Sequence, residues 1–268
     1  MMDVFGSSFN PPIYVSLLAA ALPAIFWMVY IYRKDKIEKE PLPLLLKLIF
    51  GGVLATGVAF VLEMISQVIE APLYDIFANN LAIALFISAM MIGIIEELSK
   101  YFFLKKFSWN NANFNYTFDG LVFAVFVSLG FALAENILYV FSYGLSVAVS
   151  RAILTIPAHM TFGVFMGADY GTAKIYDAMG ETGISKRHRT KGILIAILLH
   201  GIYDFLALSS YSPIYTILFF GFVVVLDIIV FLLIRNKSNN DRNIREIIDR
   251  EFYQEINLDG DEGENSVK

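Results

Sequence analysis

The chain has 268 residues, of which 57% are hydrophobic and only 17% are charged, and its mean hydropathy is +0.63. This apolar excess lies well above the roughly half that soluble domains carry, so it excludes an ordinary soluble protein. The absence of cysteine excludes disulfides, thiolate nucleophiles and cysteine metal sites, and the net charge of −5 owes much to the final stretch, "EINLDGDEGENSVK".

Seven apolar stretches of about 20 residues follow one another along the chain, and this length is enough to cross the hydrocarbon of a bilayer as a helix. They cover residues 13–32, 43–64, 81–104, 118–142, 147–170, 192–211 and 213–234. Continuous apolar runs favour helices over the alternating strands of a barrel. The sequence therefore predicts an all-α, multi-pass bundle in the cell membrane over residues 1–234. A charged cytoplasmic tail follows over 235–268; the partner is the lipid bilayer and no nucleic acid is expected.

The distribution of lysine and arginine predicts the orientation of this bundle. Basic residues follow the first, third and seventh stretches and precede the sixth, whereas the loops "SQVIEAPLYDIFANN" and "SSYSP" contain none. Because basic loops stay in the cytoplasm, we expect the amino terminus outside and the carboxyl terminus inside. The opening "MMDVFGSSFN" lacks the basic region of a secretory signal, so we expect the first stretch to remain as an anchor.

The third stretch carries two adjacent glutamates and a lysine, Glu96, Glu97 and Lys100. Each ionisable side chain near the centre of a spanning helix costs roughly 2.5 to 3.5 kcal/mol. Lys100 lies three or four residues from each glutamate and can neutralise either one. Neighbouring carboxylates in a low dielectric rarely ionise together, which provides the acid and the base that hydrolysis needs. The alternative is a charged helix end near the cytoplasm, with Lys100 extended outwards.

The fourth stretch places Glu135 four residues after Phe131 and next to Asn136. Nothing near it in the same stretch offers a positive charge. Its partner must therefore come from another helix or from an ion, unless the glutamate lies at the outer interface.

The fifth stretch contains His159, and three glycines follow it at intervals of four residues: Gly163, Gly167 and Gly171. Small residues at this spacing let helices approach closely. Because His159 lies on the same stripe, we expect it to face protein rather than lipid.

The sixth stretch carries His200 and Asp204, which are four residues apart and project from one face of a helix. Both could contribute to a site, or Asp204 could orient the His200 ring. Histidine and carboxylate in a dry bundle are ligands for a divalent metal or partners in acid–base chemistry.

Two further features lie near the end of the chain. Asp227 is an isolated carboxylate in the seventh stretch, and we assign it no role. Beyond that stretch, apolar residues at helical spacing predict a helix that lies on the membrane surface or packs on the bundle: Ile244, Ile247, Ile248 and Phe252.

Taken in order, the polar motifs are Glu-Glu-x-x-Lys at 96–100, Phe-x-x-x-Glu-Asn at 131–136, a histidine followed by glycines at 159–167, and His-x-x-x-Asp at 200–204. This combination resembles the PrsW family of intramembrane proteases, which is related to the group containing CAAX prenyl proteases and bacteriocin-immunity-type membrane proteins. The resemblance covers about residues 90–210, and its specificity comes from the order of the four motifs rather than from any single one.

The resemblance implies hydrolysis of a peptide bond in or beside the membrane. The expected substrate is a single-pass anti-sigma factor, whose first (site-1) cut starts the release of a stress-response sigma factor. By motif position, Glu96 and Glu97 carry over as catalytic carboxylates, and His200 as catalytic base or metal ligand. Glu135 stands where the CAAX-type relatives have histidine, which argues against prenyl-protein processing.

The residue types independently indicate hydrolysis, since activated water and oxyanion stabilisation are what a protease without an acylating nucleophile needs. His159, His200 and Glu135 would satisfy a divalent metal, most readily zinc, with one position open for water. A glutamate paired with lysine could also activate water without a metal. The residues expected to support the site are Lys100, Phe131, Asn136 and Asp204.

Two other functions fit intramembrane carboxylates and histidines: a proton- or cation-coupled transporter and a non-catalytic scaffold. Transporters commonly contain repeated halves with broken helices, and no convincing repeat is present. The predicted boundaries also place Glu97 in the inner half of the membrane and Glu135 toward the outer side. A shared site therefore requires tilted helices or a deep cavity.

Overall fold

A computed structural model describes residues 12–77 and 80–251, and this part of the chain is almost entirely helical. A π-helical turn, Arg151–Thr155, joins the fifth and sixth helices, and residues 244–251 form a further helical segment. The main helices are α1 (Ile13–Lys34), α2 (Leu42–Ile76), α3 (Leu81–Ser108), α4 (Asp119–Tyr143), α5 (Ser146–Ser150), α6 (Ile156–Ala178), α7 (Thr182–Leu208) and α8 (Pro213–Asn239).

Seven helical segments are long and apolar enough to cross a membrane, with α5, the π-helical turn and α6 forming one of them. This confirms the predicted all-α, seven-span fold of a multi-pass membrane protein. Helix α2 continues to Ile76 rather than ending at residue 64, and α7 begins at Thr182, before the predicted start at 192. Hydropathy marks where the hydrocarbon ends, whereas a helix continues through polar residues until a breaker stops it.

Helix α4 lies at the centre of the bundle, and most of its side chains are buried. Its contact with α2 depends on two glycines, because a Cβ atom on Gly52 would lie 2.1 Å from the carbonyl oxygen of Val127. A Cβ atom on Gly130 would lie 2.3 Å from the carbonyl oxygen of Ile49. The two backbones therefore touch at this crossing.

The glycine stripe of α6 also packs closely on α4, on a face next to the one that α2 contacts. A Cβ atom on Gly167 would lie 2.5 Å from the Cα atom of Leu121, and one on Gly171 would lie 2.2 Å from the carbonyl oxygen of Thr117. The predicted close approach of this stripe is confirmed, and it turns His159 into the bundle, where only 3% of the residue is exposed.

We expect Gly52→Ala to destabilise the protein because the added methyl group must push α2 away from α4. Overpacking of this kind costs typically 1–3 kcal/mol. The matched control is Gly57→Ala on the same helix, where a Cβ atom would meet nothing within 4 Å. Thermal unfolding in detergent should show a lowered midpoint for Gly52→Ala and an unchanged or slightly raised one for Gly57→Ala. Equal midpoints would contradict the close α2–α4 contact.

The predicted basic loops meet at one end of the bundle, which we call the basic end. There the Lys36 ammonium donates to the side-chain oxygen of Asn239 at 2.8 Å, and Lys174 donates to the carbonyl oxygen of Trp109 at 2.8 Å. Ile244 is buried against the bundle, which is one of the two predicted placements, and Phe252 lies outside the described residues. The orientation of this end toward the cytoplasm remains a prediction.

Candidate active site

The Lys100 side chain lies at the centre of a buried polar cluster. Its ammonium nitrogen lies 2.7 Å from Oε1 of Glu97, 3.1 Å from Oε2 of Glu96 and 3.0 Å from Nδ1 of His159. Only 1% of the lysine is exposed. The alternative in which Lys100 extends toward the cytoplasm is therefore wrong, because the lysine points into the bundle.

The ring of Phe131 faces this ammonium at 4.1 Å from its centroid. An aromatic face attracts a cation, most strongly where water is excluded. Phe131 therefore helps Lys100 to keep its charge in the interior, which gives this motif position a physical purpose.

His159 connects the glutamates of α3 to the glutamate of α4. Its Nδ1 atom faces the Lys100 ammonium, and its Nε2 atom lies 3.0 Å from Oε2 of Glu135. Because an ammonium can only donate, Nδ1 is the acceptor and Nε2 carries the proton that goes to Glu135. Glu97 and Glu135, which were predicted at different depths, are thus linked through the Lys100 ammonium and the His159 ring.

His200 lies between three carboxylates. Its Nδ1 atom lies 2.9 Å from Oε1 of Glu97, and its Nε2 atom lies 3.3 Å from Oδ2 of Asp204 and 3.8 Å from Oε2 of Glu96. Carboxylate oxygens at both nitrogens favour a ring that carries two protons, and the ring would have to release one of these protons to hold a metal. The ring of Phe162 stacks on it, with 4.7 Å between centroids, and restricts its tilt.

Glu135 finds its positive partner on the π-helical turn, where Nη2 of Arg151 lies 2.9 Å from Oε2 of the glutamate. The guanidinium of Arg151 also stacks on Tyr139 at 3.9 Å and donates from Nε to the Asn136 side-chain oxygen at 3.0 Å. Asn136 in turn donates to the carbonyl oxygen of Ala20 at 2.8 Å. Glu135 is thus held in the same network as His159 and is not an isolated glutamate at the interface.

A cavity of about 740 Å³ opens beside this network, between α2, α3, α4, α6 and α7. Its lining includes Glu96, Glu135, His159, His200 and Asp204. Glu97 and Lys100 do not line it, and Glu97 is 0% exposed. Water or substrate in the cavity therefore meets Glu96 first, while Glu97 lies behind it.

Several polar residues of this cavity were not predicted from the sequence, among them Glu63, Gln67 and Arg151. Glu63 and Arg151 could have been predicted in the same way as the other site residues, since each is an ionisable residue inside a predicted apolar stretch. Nothing in the sequence distinguished Phe162 from other apolar residues. Asp227 is half-buried on α8 and does not line the cavity.

Four of the clustered residues could hold a metal ion. The ligand atoms of Glu96, Glu97, His159 and His200 all lie within 4.8 Å of one another, and all four residues are buried. Carboxylate and imidazole suit zinc, and Oε2 of Glu97 is buried without a hydrogen-bond partner. The donor set therefore fits a divalent metal, although the Lys100 ammonium contacts three of the same residues and would compete for their atoms.

Glu135, predicted as a metal ligand together with His159 and His200, is not among these four residues. Its carboxylate contacts Nε2 of His159, whereas the Nδ1 atom of that ring faces the Lys100 ammonium. Glu135 thus lies behind the histidine, in the position of a group that orients a ligand.

Comparison with known proteins gives a consistent result. The profile of a family described as PrsW family intramembrane metalloprotease matches residues 40–234. The chain is 34% identical over 229 residues to Protease PrsW of Oceanobacillus iheyensis, covering 84% of this chain and 98% of that protein. It is 32% identical over 200 residues to Protease PrsW of Bacillus subtilis, covering 75% and 86% of the two chains. No solved structure gives a significant match.

Proposed function

Because the chain belongs to the PrsW family of intramembrane metalloproteases, we propose that it cuts a membrane-anchored anti-sigma factor, with Glu96 and His200 as its catalytic residues and Glu97 as the residue that positions His200. Membership makes the protein a membrane-embedded hydrolase and sets aside the transporter and the scaffold. The identity of the substrate and the roles of the residues are our proposal.

The placement of Glu96 at the cavity wall, with His200 beside it, is the observation that supports this catalytic group most directly. A carboxylate in that position can take a proton from a water molecule in the cavity and later return it to the leaving amine. Without a metal, the Nε2 atom of His200, 3.8 Å from Oε2 of Glu96, can donate to the oxyanion that forms when water attacks the carbonyl carbon. A bound metal would take that nitrogen and would stabilise the oxyanion in its place.

Glu97 and Lys100 act behind the cavity wall. Oε1 of Glu97 contacts both the Lys100 ammonium and Nδ1 of His200, so this one oxygen fixes the positions of two other groups. The Lys100 ammonium offsets the negative charge of the two adjacent carboxylates. Burying the carboxylates without this ammonium would leave uncompensated charge in the interior, which is strongly destabilising. We assign Glu97 to holding His200 in place and Lys100 to balancing the charge.

We propose zinc as the metal implied by the family. His159 and His200 would hold it with a carboxylate of the Glu96–Glu97 pair, which the proximity of the ligand atoms favours over Glu135. When bound, such an ion polarises a carbonyl group and makes a coordinated water more acidic.

The polar cavity also supports a protein substrate that enters from the membrane. A peptide bond can be hydrolysed only where the backbone is unwound, and unwound backbone is tolerated at membrane depth only in a polar, protein-lined cavity. The cavity volume of about 740 Å³ lies in the range of pockets for drug-sized ligands, so the cavity has room for a short peptide segment. A single-pass anti-sigma factor that controls a stress-response sigma factor satisfies these requirements.

Co-expression tests the identity of the substrate. We expect a single-pass anti-sigma factor from the same organism, tagged at both ends, to yield a shortened membrane-bound fragment only when this protein is present. The control is the same anti-sigma factor with the segment next to its membrane span replaced by an unrelated sequence, which should stay intact. If every anti-sigma factor of the organism stays intact while another single-pass protein is cut, the protease assignment stands and the substrate assignment is wrong.

A further inference from the structure

An exposed groove runs along the first half of α7, at the basic end of the bundle, and we call it the α7 groove. Its volume is about 600 Å³. The residues that line it follow one another at helical spacing from Gly183 to Leu198, so they share one face of the helix. None of them lines the cavity of the candidate active site. The α7 groove is therefore a separate surface of the protein.

The two halves of the α7 groove differ in chemistry. The first half is lined by polar side chains, three of them basic: Lys186, Arg187, Thr190 and Lys191. The second half is lined by apolar side chains: Leu194, Ile195 and Leu198. Helix α7 is long and apolar enough to cross a membrane, and its apolar stretch begins at residue 192. The change from basic to apolar therefore falls where the helix passes from the headgroup layer into the hydrocarbon.

The basic segment "SKRHRTK", residues 185–191, contains side chains that pack on the protein and side chains that face outward. The guanidinium of Arg189 lies 4.4 Å from the ring centroid of Trp109 and so packs on the bundle. Lys186 and Arg187 are exposed, and within the described part of the chain no carboxylate oxygen lies within 4 Å of their side-chain nitrogens. The α7 groove therefore presents two cations that the protein does not balance.

An anionic phospholipid matches both halves of the α7 groove. Leu194 and Leu198 are 58% and 51% exposed, and they continue the basic half into the hydrocarbon. From Lys191 to Leu198 the helix rises by about 10 Å, which is about two thirds of the roughly 15 Å that the acyl chains of one leaflet cover. A soluble anion would leave the leucines uncovered, and a zwitterionic lipid would bring no net negative charge to the cations.

We propose that the α7 groove binds one anionic phospholipid, with its phosphate beside Lys186 and Arg187 and an acyl chain beside Leu198. Phosphate oxygens accept charge-assisted hydrogen bonds from ammonium and guanidinium groups. Basic surfaces at the cytoplasmic side of membrane proteins recognise anionic headgroups in this way. The rule that basic loops stay in the cytoplasm accounts for the charge of this end, but not for unbalanced cations above an exposed apolar groove. The site is proposed independently of proteolysis.

The test uses the full chain with a fluorophore in the apolar half of the α7 groove. Because the chain contains no cysteine, Leu198→Cys provides a single position for the label. The labelled protein is placed in bilayers of phosphatidylcholine that contain increasing fractions of brominated phosphatidylglycerol or brominated phosphatidylcholine, since bromine quenches a fluorophore on contact. Phosphatidylglycerol should bind beside this label about tenfold or more tightly than phosphatidylcholine.

Lys186→Gln combined with Arg187→Gln should remove most of this preference. Each basic residue near an anionic lipid contributes about fivefold to binding. The double variant should therefore bind phosphatidylglycerol about 10- to 30-fold more weakly beside the label, and phosphatidylcholine as before. Glycerol phosphate in excess should leave the quenching unchanged, because it has no acyl chain to occupy the apolar half.

Helix α3 offers the matched control, because Lys105 and Lys106 are an exposed basic pair at the same end of the bundle. Leu98 lies seven positions before Lys105 and is 46% exposed, so it matches Leu198 in exposure and in distance from basic residues. A label at Leu98→Cys should show at most a small preference for phosphatidylglycerol.

Equal preferences at the two labels in the parent would overturn the proposal, because they would show attraction to surface charge only. A preference beside residue 198 that survives the double variant would contradict it as well, and so would one that glycerol phosphate abolishes, since the site would then bind a soluble anion. If the double variant does not accumulate, the comparison of the two labels in the parent decides the matter.

Discussion

Replacing Glu96 with glutamine should lower the rate of substrate cleavage by about 10²- to 10⁴-fold, the range that general acid–base catalysis contributes. Glutamine keeps the shape of glutamate and its hydrogen bonds but cannot accept a proton from water. Because Glu96 lines the cavity, its loss removes the base that meets the water molecule directly. The measurement is the rate at which a tagged substrate is cut in membranes containing matched amounts of enzyme.

Glu97→Gln should also abolish cleavage, but through a different cause. Its Oε1 atom holds Nδ1 of His200 at 2.9 Å and the Lys100 ammonium at 2.7 Å, and an amide cannot balance the charge of both. We therefore expect a large fall in kcat together with a lowered unfolding midpoint. Glu96→Gln should lower the midpoint less, because Glu96 has the longer contact with Lys100, at 3.1 Å, and lines the cavity.

The control for both variants is Glu70→Gln. Glu70 is a buried glutamate of α2 that accepts from the hydroxyl of Ser88 and does not line the cavity. Its replacement removes one intramembrane carboxylate without touching the cluster, so the rate should stay within a few-fold of the parent. Near-parental cleavage by Glu96→Gln would show that another group activates water, and a fall with Glu70→Gln as large as with Glu96→Gln would point to a general loss of structure.

The fold could be predicted because its determinants are local. Hydrocarbon thickness sets the length of an apolar helix, and the lysines and glycines that bound or pack the helices are visible as spacings along the chain. The ends of the helices could not be predicted in this way, since α2 continues past Glu63 and Glu70 to Ile76. Those glutamates look like the edge of the membrane in a hydropathy profile, whereas in the bundle Glu63 faces the cavity and Glu70 pairs with Ser88.

The site could be predicted only in part, because several of its contacts join distant parts of the chain. The spacing of His200 and Asp204 predicted that they share a helix face, and their side chains lie 3.3 Å apart. The cost of burying Glu96 and Glu97 drew attention to two residues that lie in the polar cluster, and their catalytic roles stay a prediction. The approach of Lys100 to His159 spans 59 residues, and no local pattern encodes it. The same holds for Arg151, whose role depends on a π-helical turn that places one extra residue in the helix.

The order of these contacts also explains why a histidine and a lysine can share a dry interior. Positive groups at Arg151, Lys100 and His200 alternate with the carboxylates of Glu135, Glu96 and Glu97 along one connected path. Removing one partner from such a path leaves a buried charge uncompensated, which is far more destabilising than the pair is stabilising. Substitutions that conserve shape but not charge are therefore the informative ones at this site.

Substitution of either buried histidine should remove the metal from the protein. If zinc is bound by His159 and His200 together with a carboxylate of the Glu96–Glu97 pair, each of the variants His159→Ala and His200→Ala loses one of the ligands and should contain far less zinc per chain than the parent. A strong chelator should stop cleavage by the parent, and added zinc should restore it. Zinc is measured by elemental analysis of purified protein, so the result does not depend on activity.

The chain supplies its own control, since its third histidine, His188, lies on α7 toward the basic end, stacked on Tyr176 and 3.0 Å from Asp169. His188→Ala removes an imidazole without touching the cluster and should leave the zinc content unchanged. The opposite outcome is equally informative, because the Lys100 ammonium already contacts Glu96, Glu97 and His159 in the position where a metal would compete. A fully active preparation with far less than one metal per chain would contradict the zinc assignment and establish a metal-independent protease, in which Lys100 supplies the positive charge and Glu96 activates water unaided.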